Sequence, residues 1–201
     1  MGGHALTEGK RSKSRMISVR GVLTSLFAHK VEGMEPRIVD LKQPIKIMGM
    51  AIETDTKRVY RDVSRLGKRF EKYKREHEIP NTKQPWGFAA VSRDFDEKAR
   101  TFSYMMGDVV VSLEQVPAGL TGFEIPAGKY AVFPVRPKNR LGWGFAIANV
   151  KEYAYTVWLP GSEYEPAGTI DDFEYHDERS TRKRNPEIDL YVAIRPKGWP
   201  H

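Results

Sequence analysis

The sequence predicts an α+β domain of about eight antiparallel strands and two long helices, and three observations carry that prediction. Short apolar runs alternate with Pro- and Gly-rich breaks from Arg37 onward, and two longer stretches repeat apolar residues at helical spacing. The order strand, strand, helix, strand, strand then occurs twice, with a seam near residues 116–119. The links between strands are of hairpin length, which excludes the crossovers of a parallel sheet.

Taken in order, residues 1–33 are basic and rich in Gly and Ser and read as a tail ahead of a domain spanning 34–201. The first thirty residues hold six Lys and Arg against one Glu, a net of +5, and the rest of the chain carries only +2 of the total +7. Arg20 interrupts the apolar stretch of the tail, against a secretory signal. At most one amphipathic helix, around 17–27, fits there, too little for a helix-turn-helix, so no sequence-specific DNA reader is expected in this chain alone. The 201 residues contain no cysteine, which removes disulfides, thiolate nucleophiles and zinc ribbons and fits a cytoplasmic setting. No run approaches the ~18 apolar residues of a membrane span.

Residues 37–41 and 45–52 read as strands. Residues 54–56, Thr-Asp-Thr, offer capping oxygens, and Tyr60, Val63, Leu66, Phe70, Tyr73 and His77 then recur at spacings of three and four. The opposite face, with Arg61, Arg65, Lys68, Lys72 and Arg75, reads as solvated. Pro80 and Pro85 end this helix; strands at 86–95 and 101–111 follow, joined as a hairpin by the charged turn 96–100. The second half supplies a strand near Phe123, another at 129–135, a helix over 143–158, and strands at 171–177 and 187–194 flanking the polar loop 178–186.

Familiar catalytic and phosphate-binding strings are absent. Gly142-Trp143-Gly144 begins like a dinucleotide fingerprint, but Ile147 holds the third glycine position and no βαβ unit surrounds it. Of five histidines only His176 falls on a strand, sharing a face with Asp172 and Glu174 and lacking a distant third ligand. No metal and no other cofactor is expected.

In the last strand Ile188, Leu190, Val192 and Ile194 form a face suited to helices, with Asp189, Tyr191 and Ala193 opposite. Trp86 with Phe88, and Phe102 with Tyr104, form same-face pairs, so a ring-lined cleft between the two repeats is expected. Glu174 stands between Phe173 and Tyr175, and a carboxylate among rings suits a lipophilic cation. Glu174, Tyr104, Trp86, Phe88, Trp143 and Tyr191 are the candidate ligand-binding residues; burial should raise the Glu174 pKa unless a cation compensates.

The runs FSYMMGDVV (102–110), VPAGL (116–120), IPAGKYAVF (125–133), VWLPGSEYE (157–165), DDFEYHD (171–177) and EIDLYVAI (187–194) resemble the GyrI-like small-molecule-binding domains. These are also the effector-binding domains of AraC/Rob-type and multidrug-responsive bacterial transcription activators. The resemblance spans about residues 35–195 and implies a tandem βαββ fold with a central ligand groove, with Glu174 as its acid. Two departures stand out. After the YAVF strand the chain continues with Arg136, Lys138 and Arg140, three cations near the expected groove that weigh against a preference for cations. Regulators of the family carry a DNA-binding module before the domain, whereas here a short tail precedes it, as in a standalone member. Noncatalytic binding of small aromatic compounds, cationic ones included, by a sensor or sequestering protein is the leading expectation. The alternatives are hydrolysis of reactive ring-bearing molecules, with Glu174 and a tyrosine positioning water, and docking on a protein partner such as DNA gyrase.

Overall fold

A computed structural model of the chain describes residues 31, 33–139 and 141–199. The first repeat contributes β1 (Arg37–Leu41), β2 (Ile45–Asp55), helix α1 (Val59–Glu76), β3 (Phe88–Asp96) and β4 (Thr101–Val110). The second contributes β5 (Thr121–Ile125), β6 (Gly128–Val135), helix α2 (Trp143–Tyr153), β7 (Tyr164–Pro166), β8 (Asp172–His176) and β9 (Ile188–Pro196). All pairings are antiparallel, in the order β1-β6-β9-β8-β3-β4-β2-β5, with β7 also on β9. The expected fold class holds. The ninth strand, β7, is only three residues long and contains Pro166, which leaves no alternation for a sequence reading to find.

The repeats exchange their first strands. β1 pairs with β6 of the second repeat, and β5 pairs with β2 of the first. Three residues link β1 to β2 and two link β5 to β6, although each link runs between strands at opposite ends of the sheet. Links of ~10–14 Å cannot cross a flat sheet of eight strands about 4.8 Å apart, so the sheet curls around its concave face. Ile47, Val91, Met105, Ile125, Tyr130, Phe173 and Ala193 fill that concavity. On the other face α1 sets Leu66 and Phe70 against Met48, Tyr104 and Met106, and α2 sets Ala146 and Val150 against Phe133, Leu190 and Val192. The two helices cover the two ends of the sheet and leave β3 and β8 between them.

At the start of α1 the acceptor from the expected range 54–56 is Asp55, and it acts on the turn before the helix. Arg58 is the capping residue and no side chain caps the helix. Asp55 Oδ1 instead accepts the Lys57 and Arg58 backbone N–H groups, both at 2.8 Å, while Thr54 Oγ1 donates to Asp62 at 3.0 Å. An Asp carboxylate closes this turn as a stronger acceptor than a hydroxyl. Helix α2 continues through a π-helical turn at Ala154–Trp158 and ends with Leu159–Gly161. That wide turn lets Lys151 and Tyr155 both reach toward β8 while Trp158 meets Phe133 edge-on, with ring centres 5.4 Å apart.

The sequence reading of residues 1–33 as a tail falls largely outside the described residues. Val31 and Met34 are partly buried against the α2 core. Among the described residues no helix is long and apolar enough to cross a membrane.

Candidate functional site

The floor of the groove between α1 and α2 is a small lattice of side chains from β4, β3 and β8. Pairing sets Asp108, Phe88 and His176 in one row, Met106, Ala90 and Glu174 in the next, and Tyr104, Ser92 and Asp172 in the third. Paired residues of adjacent strands point to the same face. The floor is half polar where the sheet lies under the helices, a place that apolar residues ordinarily occupy.

Asp172 and Glu174 are 3% and 6% exposed. The cation that meets them comes from α2: Lys151 Nζ lies 2.7 Å from Asp172 Oδ1, 3.5 Å from Glu174 Oε1 and 3.4 Å from Ser92 Oγ. Tyr155, one helical turn on, donates to the Asp171 carbonyl at 2.9 Å and to Asp172 Oδ2 at 3.2 Å. His176 Nε2 is 3.6 Å from Glu174 Oε2. Burial pushes the Glu174 carboxyl up, but the Lys151 ammonium and the His176 ring outweigh it, and the net displacement is downward. Lys151 moves the opposite way. Burial disfavours its charge, yet Asp172 and Glu174 together hold the ammonium above its ordinary range. Tyr104, 6% exposed, is raised well above an ordinary phenol by burial and then by the Glu174 and Asp172 charges.

Rings surround this polar centre. Phe88 meets His176 edge-on at 5.3 Å and Trp143 lies 6.2 Å from His176 on the α2 side. Trp86 stacks on Phe88 at 6.5 Å. Tyr60 of α1 approaches the first turn of α2, where a Cβ added at Gly144 would stand 3.6 Å from its ring. The two helices therefore approach each other at Tyr60 and Gly144, and the nearly buried Glu174 lies against Lys151 and His176.

Glu174, Tyr104, Phe88, Trp86 and Trp143 thus gather along one groove. Tyr191 does not. Odd-numbered residues of β9 face the concave side, and the Tyr191 ring stacks on Phe173 at 4.4 Å within that core. Phe173 and Tyr175, read in the sequence as the rings beside Glu174, also point to the concave face, because neighbours along a strand alternate. Of the loop cations expected near the groove, Arg136 engages Glu187, and Arg140 lies outside the described residues. Lys151 and Ser92 escaped the sequence reading, which grouped Asp172 with Glu174 and His176 on one face without naming it as a ligand-binding residue. One signal existed: a lysine on the mainly apolar stretch WGFAIANVKEY needs a buried partner if that helix packs on a sheet.

Comparison with known proteins identifies the fold and the family. The transcriptional regulator BrlR of Pseudomonas aeruginosa is 29% identical over 201 residues, covering 95% of this chain and 67% of the regulator. Among solved structures, SAV2435 bound to tetraphenylphosphonium superposes with a TM-score of 0.60 at 11% identity, covering 81% of this chain and 94% of that one. An integron cassette protein of Vibrio cholerae gives 0.54 at 16% identity, covering 81% and 97%. The C-terminal domain of EcmrR gives 0.52 at 12% identity, covering 81% and 98%. Residues 37–194 match the model of the integron-associated effector-binding proteins, and on that match this chain belongs to that family, within the GyrI-like fold.

Proposed function

We propose that the chain is a noncatalytic binding module for small aromatic cations, which enter the groove between α1 and α2 and meet Glu174. One observation carries this reading: two buried carboxylates share the ammonium of one partly buried lysine, so carboxylates outnumber ammonium groups in a ring-lined site. A lipophilic cation supplies the missing charge and gains about 0.5–2 kcal/mol per ring contact. Phe88 and Trp143 are the rings placed to give those contacts, and Tyr104 closes the far end of the floor. The likeness in fold to SAV2435, solved with tetraphenylphosphonium, supports the same ligand class. Binding is favoured over hydrolysis because Lys151 and His176 pull Glu174 below its ordinary range, which weakens it as a general base. In a cytoplasmic setting such a module serves as a sensor or a sequestering protein; the likeness to the transcriptional regulator BrlR and to EcmrR, solved in complex with DNA, supports a sensing role tied to transcription.

Calorimetric titration with tetraphenylphosphonium tests the reading. Wild-type protein should bind it and the Glu174→Gln variant should bind about 10–100-fold more weakly, with neutral aromatic ligands affected less than threefold. Equal loss for cationic and neutral ligands, or no binding by wild-type protein, would overturn the assignment.

A further inference from the structure

At the other end of the groove floor an ammonium is already seated in a cage of rings and a carboxylate. Asp108, on β4, is 5% exposed, and its buried Oδ1 has no hydrogen-bond partner. Lys74 of α1 brings its Nζ to 3.5 Å from that oxygen, 4.8 Å from the Phe70 ring centre and 5.9 Å from that of Phe88. The Trp86 side chain hydrogen-bonds the same carboxylate and stacks on Phe88. Lys74 also has a second partner outside the cage, Glu71 at 3.1 Å, whose side chain is 61% exposed. The cage is built for a cation, and its present occupant has somewhere else to go.

We propose that Asp108, with Phe70, Trp86 and Phe88, forms a second cation subsite, which Lys74 occupies until a ligand displaces it toward Glu71. The groove then suits ligands with two positive centres, one at Glu174 and one at Asp108, sharing Phe88 between them. The inference rests on the cation-binding reading of the Glu174 end and extends it. Sheet geometry gives the separation: Asp108 and Glu174 lie two strands and two residues apart, about 12 Å across the floor. A lysine is a suitable placeholder because a flexible tethered ammonium satisfies the acid in the empty groove yet competes only weakly with a ligand already anchored at the other end.

Alkane-linked bis-pyridinium dications and the matching N-alkylpyridinium monocations are the probes, titrated calorimetrically into the full chain. Wild-type protein should bind the best dication at least about tenfold more tightly than its monocation, with the optimum near a linker of about eight methylenes, where length matches the span. Asp108→Asn should bring the dication to within about threefold of the monocation. Lys74→Met should tighten the dication about three- to tenfold, a gain that a merely structural lysine would not produce. Dications no tighter than monocations in wild-type protein, or a Lys74→Met variant that binds dications more weakly, would overturn the second subsite while leaving monocation binding at Glu174 standing. Failure of every cation to bind wild-type protein would remove both readings together.

Discussion

Lys151→Met isolates the buried charge cluster. The ammonium stands 2.7 Å from Asp172 and 3.5 Å from Glu174, which at an effective dielectric of 20 corresponds to gross attractions of about 6 and about 5 kcal/mol. Desolvation of all three groups offsets most of this, so the net effect follows from what the substitution leaves behind, two buried carboxylates without their ammonium. Losing one partner of such a cluster costs about 3–5 kcal/mol. The pH dependence gives a sharper signature. In wild-type protein the Glu174 pKa lies below its unfolded value of 4.5, so its contribution is present above that pH and is lost as the pH falls through the folded value. Without Lys151, burial and the Asp172 charge dominate, and the pKa moves above 4.5. The carboxylate then penalises folding more as the pH rises, and protonation below about pH 5 relieves it. Urea unfolding from pH 4 to 8 should therefore show a deficit of about 3–5 kcal/mol at pH 7 that shrinks by more than half at pH 4. Tetraphenylphosphonium should restore part of that stability at neutral pH by replacing the missing cation. A deficit below about 1 kcal/mol, or one that does not vary with pH, would show that Lys151 is solvated and that the floor charges are not coupled.

Other perturbations probe separate elements. Tyr155→Phe removes the hydroxyl that spans the Asp171 carbonyl and Asp172 Oδ2, and equilibrium unfolding should show a loss of about 1–3 kcal/mol. Arg179 ties Asp177, Glu187 and the buried Asp189 together, at 2.9, 3.0 and 2.8 Å, so Arg179→Ala should destabilise by about 1–3 kcal/mol and raise proteolytic cleavage near the 178–181 turn. Spectrophotometric titration should find Tyr130, pushed up to about 12 by burial, and Tyr104, raised well above an ordinary phenol, un-ionised at pH 11. Because both pKa values are raised, their contribution is intact at neutral pH and declines only as alkaline pH passes the unfolded value near 10.

The helices and long strands were legible in sequence because each buries one face. Leu66 and Phe70 mark α1 at a spacing of four, and Ile188 to Ile194 mark β9 at a spacing of two. Their faces were legible for the same reason, which is how Glu174 came to be grouped with His176 and Asp172. The partner strands across the floor were not. Chain order gives no hint that β3 lies against β8, or that Ala90 and Glu174 are neighbours, since that pairing joins the two repeats. Alternation already set Tyr191 opposite the helix-packed face of β9, and the local pattern did not reveal that Glu174 and the helices share the same face while Tyr191 and Phe173 lie in the concave core. Lys151 was hidden because its meaning depends on contacts more than twenty residues away, which no local pattern encodes.

Duplication of the unit also explains why the polar floor exists. Each helix covers the strands of its own repeat, α1 over β2 and β4 and α2 over β6 and β9, so the central pair β3 and β8 belongs fully to neither. An apolar floor there would draw the helices together and close the gap, whereas charged residues resist that collapse unless each is paired. The chain pairs them with lysines, one from each helix: Lys74 on Asp108, and Lys151 on Asp172 and Glu174. Folding thus proceeds with each floor carboxylate facing a lysine, Lys151 serving two of them, and these lysines are long and flexible enough to withdraw. The same arrangement that lets the groove fold is the one that a cationic guest can replace, and this ties ligand binding to the packing of both helices on the sheet. A guest bound at Glu174 should accordingly slow amide exchange in α1 and α2 together, and protection confined to β8 would show that the helices do not take part.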